Sequence, residues 1–282
     1  MFAIATNACA HDFEIVSYTL PSWLRVFGSR LAQVHVIVDE RPASGRIAAN
    51  RARAQADPRR LREFLAHLAQ SDCRVQVSSL GEIPQERSLR KWFTNGAPDR
   101  CQAGTPILPF VAAFEASDAE FVLRADCDML FSENGWLAEA MRLLATEQTD
   151  LVEPPRLGHA AGGGGGRIST RALMIRPSMF YERCLPIAPH RLGLVRRLHR
   201  FLQGRPTWLA LEQMLEVERR RGRIRHAILD NALGFSVHVD QRSFPSSEWL
   251  RGVVGKIEAG DVTPAQRRIG WNFSTEAWPE TV

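Results

Sequence analysis

Residues 119–131 read Ala119-Glu120-Phe121-Val122-Leu123-Arg124-Ala125-Asp126-Cys127-Asp128-Met129-Leu130-Phe131. A short apolar run, the pattern of a buried strand, stops at two carboxylates one residue apart and then turns apolar again. Carboxylates beside buried strand segments are costly unless something compensates them. A divalent cation would do so, as would hydrogen bonds to a polar ligand. The fold therefore turns on where these two acids stand relative to the other strands.

Upstream, strands and helices alternate. Phe2 to Thr6 reads as a first strand ending at Thr6-Asn7. Asp12 can cap a helix carrying Phe13, Ile15, Val16, Leu20, Trp23, Leu24 and Phe27, with Pro21 expected to bend or divide it. Val34 to Val38 is a β-branched strand closed by Asp39-Glu40. An Arg/Ala/Pro-rich loop runs from Arg41 to about Ala56, and Asp57-Pro58 then gives a cap followed by proline at the first helical position. A third strand covers Cys73 to Val77. Thr105-Pro106 repeats the cap signal before a helix over Ile107 to Ala116, which leads into the acidic pair.

Downstream, Trp136 to Leu144 is a helix and Asp150 to Val152 a short strand. Five glycines, Gly162 to Gly166, form a loop by composition. They lack the Lys-Ser/Thr of a phosphate loop, and two readings stand, a flap closing over a ligand or a surface loop without a role. Ile168 to Ile175 is a strand and Pro177 to Cys184 a short helix. Residues 190–205 are basic with an apolar stripe of Leu194, Val195, Leu198, Phe201 and Leu202. They read as a solvated helix face or as a contact for an anionic membrane surface or acidic acceptor. Thr207 is expected to cap a helix that Gly222 stops. Strands follow around Ile224 to Leu229 and Phe235 to Val239, and the tail carries Trp249, Trp271, Phe273 and Trp278.

Alternating strands and helices argue for an α/β layer with a mainly parallel sheet. In such sheets ligands sit at the carboxyl ends of strands. Thr6-Asn7, Asp39 and Asp126-Cys127-Asp128 all fall at such ends.

Composition bounds the class. With 45% hydrophobic and 24% charged residues among 282, the chain suits a globular protein of one large domain. Among 36 basic residues only Lys91 and Lys256 are lysine. This skew reads as coding bias, and arginine also suits phosphate binding. No apolar run approaches the ~20 residues of a membrane span, and the N-terminus lacks a signal peptide's basic flank. The five cysteines are scattered with no C-x-x-C, so neither a zinc knuckle nor a disulfide framework is indicated and a reducing, cytoplasmic setting is expected. Nucleic-acid binding rests on net charge alone and is not expected.

A bare Asp-x-Asp is near chance frequency in a chain of this length. Its neighbours add weight. Val36-Ile37-Val38-Asp39, Phe121 to Met129, Leu209-Ala210-Leu211-Glu212-Gln213 and Ser236-Val237-His238 together resemble the GT-A-fold glycosyltransferases, of the bacterial family 2-like group, over roughly residues 1–240. The resemblance implies a Rossmann-like, mainly parallel central sheet flanked by helices, with a smaller acceptor-side sheet. It implies a nucleotide-binding half over about 1–131 and an acceptor-binding half over 132–240. Residues 241–282 form a C-terminal extension, a lid or a set of core anchors.

The resemblance also implies roles. Thr6 and Asp39 would lie at the nucleotide's base or ribose, and Asp126 at the ribose or sugar while helping hold a metal. Asp128 would bind Mn²⁺ or Mg²⁺ bridging the donor's diphosphate, with His238 a further ligand, a choice consistent with hard-cation chemistry. Without the resemblance, His238 reads equally as a hydrogen-bonded core histidine. Glu212 would be the base deprotonating an acceptor hydroxyl for inverting transfer, and otherwise a solvated helix carboxylate. The family pattern has a second acid where Gln213 stands, so Asp230 is kept as a reserve base. The implied partners are a nucleotide-diphosphate sugar donor and a hydroxyl acceptor, whether glycan, lipid-linked glycan or small molecule.

Two other classes compete. A haloacid-dehalogenase-like phosphatase also carries Asp-x-Asp after an apolar strand. Here Leu130 occupies the position that class gives to Thr or Val, the motif is mid-chain, and Lys256 is the only lysine after it. A catalytically silent glycosyltransferase-like binding protein would account for Gln213.

Overall fold

Runs of small and β-branched residues build the central strands of the computed structural model, which describes residues 1–41, 56–83, 85–94, 101, 107–133, 135–157, 167–188, 191, 193–203, 207–239, 246–263 and 266. β1 (Phe2–Ala8), β2 (Leu31–Val38) and β3 (Val75–Ser79) run parallel in the order β3-β2-β1. β4 (Val122–Ala125) pairs parallel with the other edge of β1, so the strand order reverses between β1 and β4. Beyond β4 lie β7 (Ala172–Ile175), β6 (Leu151–Glu153) and β8 (His226–Ile228), completing a seven-stranded sheet ordered β3-β2-β1-β4-β7-β6-β8. β7 alone is antiparallel to the rest. A second sheet pairs β5 (Met129–Glu133) with β9 (Gly234–His238), antiparallel, with Met129 opposite His238.

The described helices cover both faces of the large sheet. On one face α1 (Phe13–Phe27), α2 (Pro58–Ser71), α5 (Trp136–Ala145) and α9 (Ser247–Glu258) share a core with Phe2, Ile4, Leu123 and β5. On the other, α3 (Gln85–Trp92), α4 (Leu108–Glu115), α6 (Pro177–Cys184) and α8 (Leu211–Arg220) pack on Ala5, Ile37 and Val122. α7 (Leu194–Leu202) buries none of its residues. Each large apolar side chain fully buried in these layers stabilises the fold by about 1.5–3 kcal/mol.

The expected α/β architecture is present, with local differences. α1 runs unbroken through Pro21, because Ile15, Val16, Leu20, Trp23 and Phe27 are all buried along one side and hold it against the missing hydrogen bond. Asp12 does not cap α1. It already lies at the end of a helical turn over Ala10–Asp12, and its carboxylate accepts from the Cys9 amide at 2.8 Å instead. At α2 the cap is as expected, with Asp57 accepting from the Arg60 amide at 2.9 Å and Pro58 opening the helix.

α8 begins at Leu211, with Ala210 in the capping position, not at Thr207. Trp208 is bridged to Arg191, which keeps this stretch extended. Gly222 stops α8 as expected, in a left-handed conformation (φ +74°) that glycine adopts without strain. Two strands start late, β3 at Val75 and β7 at Ala172. Within the C-terminal stretch, Trp249, Leu250, Val253, Val254 and Ile257 of α9 are buried against the α1 core. The 42–55 loop, Thr105-Pro106, the pentaglycine run, Trp271, Phe273 and Trp278 lie outside the described residues.

Candidate active site

The acidic turn joins the two sheets. Asp126 stands just past β4 and Asp128 just before β5. Four consecutive carbonyls of this turn accept hydrogen bonds from separate donors. Asp126 O accepts from the Met129 amide at 3.1 Å and Asp128 O from the Val239 amide at 2.8 Å. Cys127 O accepts from Thr19 Oγ1 at 2.6 Å, and Met129 O from Trp23 Nε1 at 2.8 Å. The Asp126 amide in turn donates to Arg171 O at 2.6 Å. α1 and the end of β9 thus fix the backbone that carries the acids. Cys127 between them is buried, and its thiol pKa is pushed well up by burial and by the surrounding acids Asp12, Asp128 and Asp126.

The two carboxylates meet different surroundings. Asp126 pairs with Arg124, a buried arginine inside β4. The same guanidinium donates to Thr170 O at 2.8 Å and to Asn7 Oδ1 at 2.5 Å, and lies 4.7 Å from the Phe110 ring centre. Its charge is therefore compensated in four directions, as a buried cation requires. Burial raises the pKa of Asp126 above the usual carboxylate value; Arg124 opposes this and Asp128 adds to it. The Asp126 side chain is still 34% exposed, so one edge of the carboxylate faces solvent while the rest is walled by protein.

Asp128 pairs instead with His238, whose Nε2 lies 3.0 Å from Asp128 Oδ2. The antiparallel register of β5 with β9 brings these side chains together across 110 residues. When the proton sits on Nε2, that nitrogen donates to the carboxylate, which only accepts. Asp128 Oδ1 and His238 Nδ1 are both buried without a hydrogen-bond partner. Buried polar atoms of this kind are places where an ion, a ligand or an ordered water completes the bonding. Among the described residues no three Asp, Glu, His or Cys side chains form a ready coordination sphere, since Asp126 is engaged by Arg124. The donor chemistry of Asp128 and His238 nevertheless fits a hard or borderline cation.

The remaining expected residues divide. Asp39, past the end of β2, is buried and gripped by Arg41, which donates through its amide (3.1 Å), Nε (2.9 Å) and Nη2 (3.1 Å). Thr6 is fully enclosed within β1, and its hydroxyl has no partner, so it forms floor behind the site. Glu212, exposed in the first turn of α8, accepts from Thr170 Oγ1 at 3.2 Å. The Thr170 carbonyl is also bound by Arg124, which links Glu212 to Asp126 through two residues. Gln213 turns its amide back onto the Ala210 amide at 3.3 Å, closing the helix start. Asp230 caps a turn by accepting from the Ala232 amide at 2.8 Å, at the end of β8, three strands along from β4.

Arg124, Thr170, Thr19 and Trp23 belong to this site and were not singled out from the sequence, whereas Asn7 was read there as part of a strand end. Arg124 had a signal: an arginine inside an apolar strand has to be paired. Thr19 and Trp23 had none, because their partners lie more than a hundred residues away.

No protein-family model and no curated protein sequence matches the chain. Among solved structures it is similar to the galactosyltransferase LgtC with donor and acceptor sugar analogs, at 11% identity and TM-score 0.42, over 82% of this chain and 74% of that one. It is also similar to glucosyl-3-phosphoglycerate synthase from Mycobacterium tuberculosis with Mn²⁺, UDP and phosphoglyceric acid, at 14% identity and TM-score 0.43, over 91% and 75%. S. aureus TarS 1-349 with UDP is similar at 11% identity and TM-score 0.45, over 95% and 69%. These are distant likenesses of chain path, too low in identity to carry substrate or mechanism from those proteins to this one.

Proposed function

We propose that the chain is a GT-A-type glycosyltransferase that moves a sugar from a nucleotide-diphosphate donor to an acceptor hydroxyl with inversion. The observation that carries this reading is the Asp128–His238 pair, each with a buried polar atom that has no hydrogen-bond partner, set at the point where the strand order reverses between β1 and β4. Asp39 reads the nucleoside once Arg41 yields. Arg124 anchors Asp126 and orients it toward the ribose or sugar, and Thr6 supports that wall from behind. Asp128 and His238 would hold Mn²⁺ or Mg²⁺, helped by Asp126. When bound, this cation supplies positive charge to the diphosphate leaving group. Glu212, on the opposite side and kept in place by Thr170, takes the acceptor's proton as the hydroxyl attacks the anomeric carbon.

Thermal unfolding with UDP, GDP and dTDP, each with and without Mn²⁺, tests the donor site. One nucleotide is expected to raise Tm in a metal-dependent way. No shift with any of the three overturns the donor site, and metal-dependent release of phosphate from a simple aryl phosphate would establish the phosphatase instead.

A further inference from the structure

Residues 183–211 contain no Asp or Glu, but six arginines and two histidines. Within this stretch α7 presents Leu194, Val195, Leu198, Phe201 and Leu202, all 58–82% exposed. At helical spacing these five side chains fall in one sector of about 120°, and Arg196, Arg197, His199 and Arg200 fill the other side. The base of the stretch is pinned. Arg191 pairs with Trp208 in an antiparallel bridge, and its guanidinium lies 4.2 Å from the indole ring centre. Five large apolar side chains are thus held in water on one short helix, a pattern that marks an interaction surface rather than ordinary scatter.

Charge identifies the occupant. A second copy of this chain would bring the same cationic stretch against itself, which disfavours self-association. An anionic lipid surface offers both an apolar layer for the Leu/Phe face and negative headgroups for the arginines around it. α7 is too short to span a bilayer, and no described helix is long and apolar enough to do so. We infer that α7 lies in the interface of an anionic membrane and seats the protein there.

Flotation tests this with vesicles of phosphatidylcholine alone and of phosphatidylcholine with phosphatidylglycerol at roughly 7:3. The full chain is expected to associate about tenfold or more strongly with the mixed vesicles, and to be released by high salt. Leu198→Asp/Phe201→Asp is expected to abolish association. Arg196→Ala/Arg197→Ala/Arg200→Ala, which keeps the apolar face, is expected to lower it about tenfold or more. Both variants change a helix that buries nothing, so their melting temperatures and nucleotide-dependent shifts should match the parent. Equal association with both vesicle types, no association with either, or unchanged association of Leu198→Asp/Phe201→Asp overturns the inference. So does a dimer that dissociates in that variant while vesicles are ignored. Because the donor site is read by nucleotide shifts on the same preparations, failure there leaves the vesicle result standing.

Discussion

The Asp128 side and the Glu212 side of the site are held by different forces. At Asp128 the backbone is fixed by hydrogen bonds from Thr19, Trp23 and Val239, and both side-chain donors are fully buried. Around Glu212 the helix is secured by ion pairs that join buried carboxylates to partly exposed arginines. Glu216 is bound by Arg219 and Arg220, and Glu218 by Arg221 and Arg223. Glu212 itself has one contact to the rest of the site, from Thr170. Dry hydrogen bonds give a rigid wall that salt does not reach. Ion pairs whose arginines reach solvent give a more adjustable one, sensitive to acid and in part to salt. Under the proposed function, a rigid wall would suit an ion and a diphosphate of constant shape, and an adjustable wall a second substrate that enters and leaves.

The sharpest break in this comparison comes from Asp128→Asn. It should lower turnover by about 10³-fold or more and remove the metal-dependent part of the nucleotide Tm shift, measured by initial rates and thermal unfolding. A variant that keeps both would place the cation elsewhere. Glu212→Gln should reduce kcat by about 10²–10³-fold while leaving the nucleotide shift intact, since a base acts on the acceptor and not on the donor. Wild-type turnover would remove Glu212 as the base and bring Asp230 forward.

Thr19→Val keeps the shape of a buried side chain but leaves Cys127 O without its donor. Denaturant unfolding should show a loss of about 1–3 kcal/mol that is insensitive to salt. Glu216→Gln should cost less, about 1 kcal/mol at neutral pH, and salt should shrink the loss. Hydrogen bonds from Arg219 and Arg220 draw the Glu216 pKa down to about 2. The folded-state value lies below the ordinary glutamate value, so this stabilisation is complete above about pH 5 and fades as pH falls toward 2. Parent and variant stabilities, measured across that window, should converge at its acid end.

The strands of the large sheet were legible because most are short apolar runs ending at polar residues, and the placement of Asp39 and Asp126 at strand ends followed from that pattern; β5 was not read as a strand. The Asp57-Pro58 start was legible because its physics is local: a side-chain oxygen meets an amide three residues on. The same signal failed at Thr207, where a tertiary contact between Trp208 and Arg191 outweighs a local preference. His238 was in view as a residue in a late strand, but its contact with Asp128 depends on the β5–β9 register. The pairing of Asp126 with Arg124 also changes the opening problem. One of the two acids is compensated by the chain itself, and the demand for an external charge falls on Asp128.

The four anchored carbonyls bear on how the protein is made. Their donors come from residues 19, 23, 129 and 239. A nascent chain can form β1 to β4 early, yet the acidic turn is complete only after β9 and Val239 have emerged from the ribosome. Closing contacts across more than a hundred residues is a late and cooperative event. A chain truncated before β9 therefore lacks both His238 and the Val239 amide beside Asp128, and the acidic turn matures together with the fold.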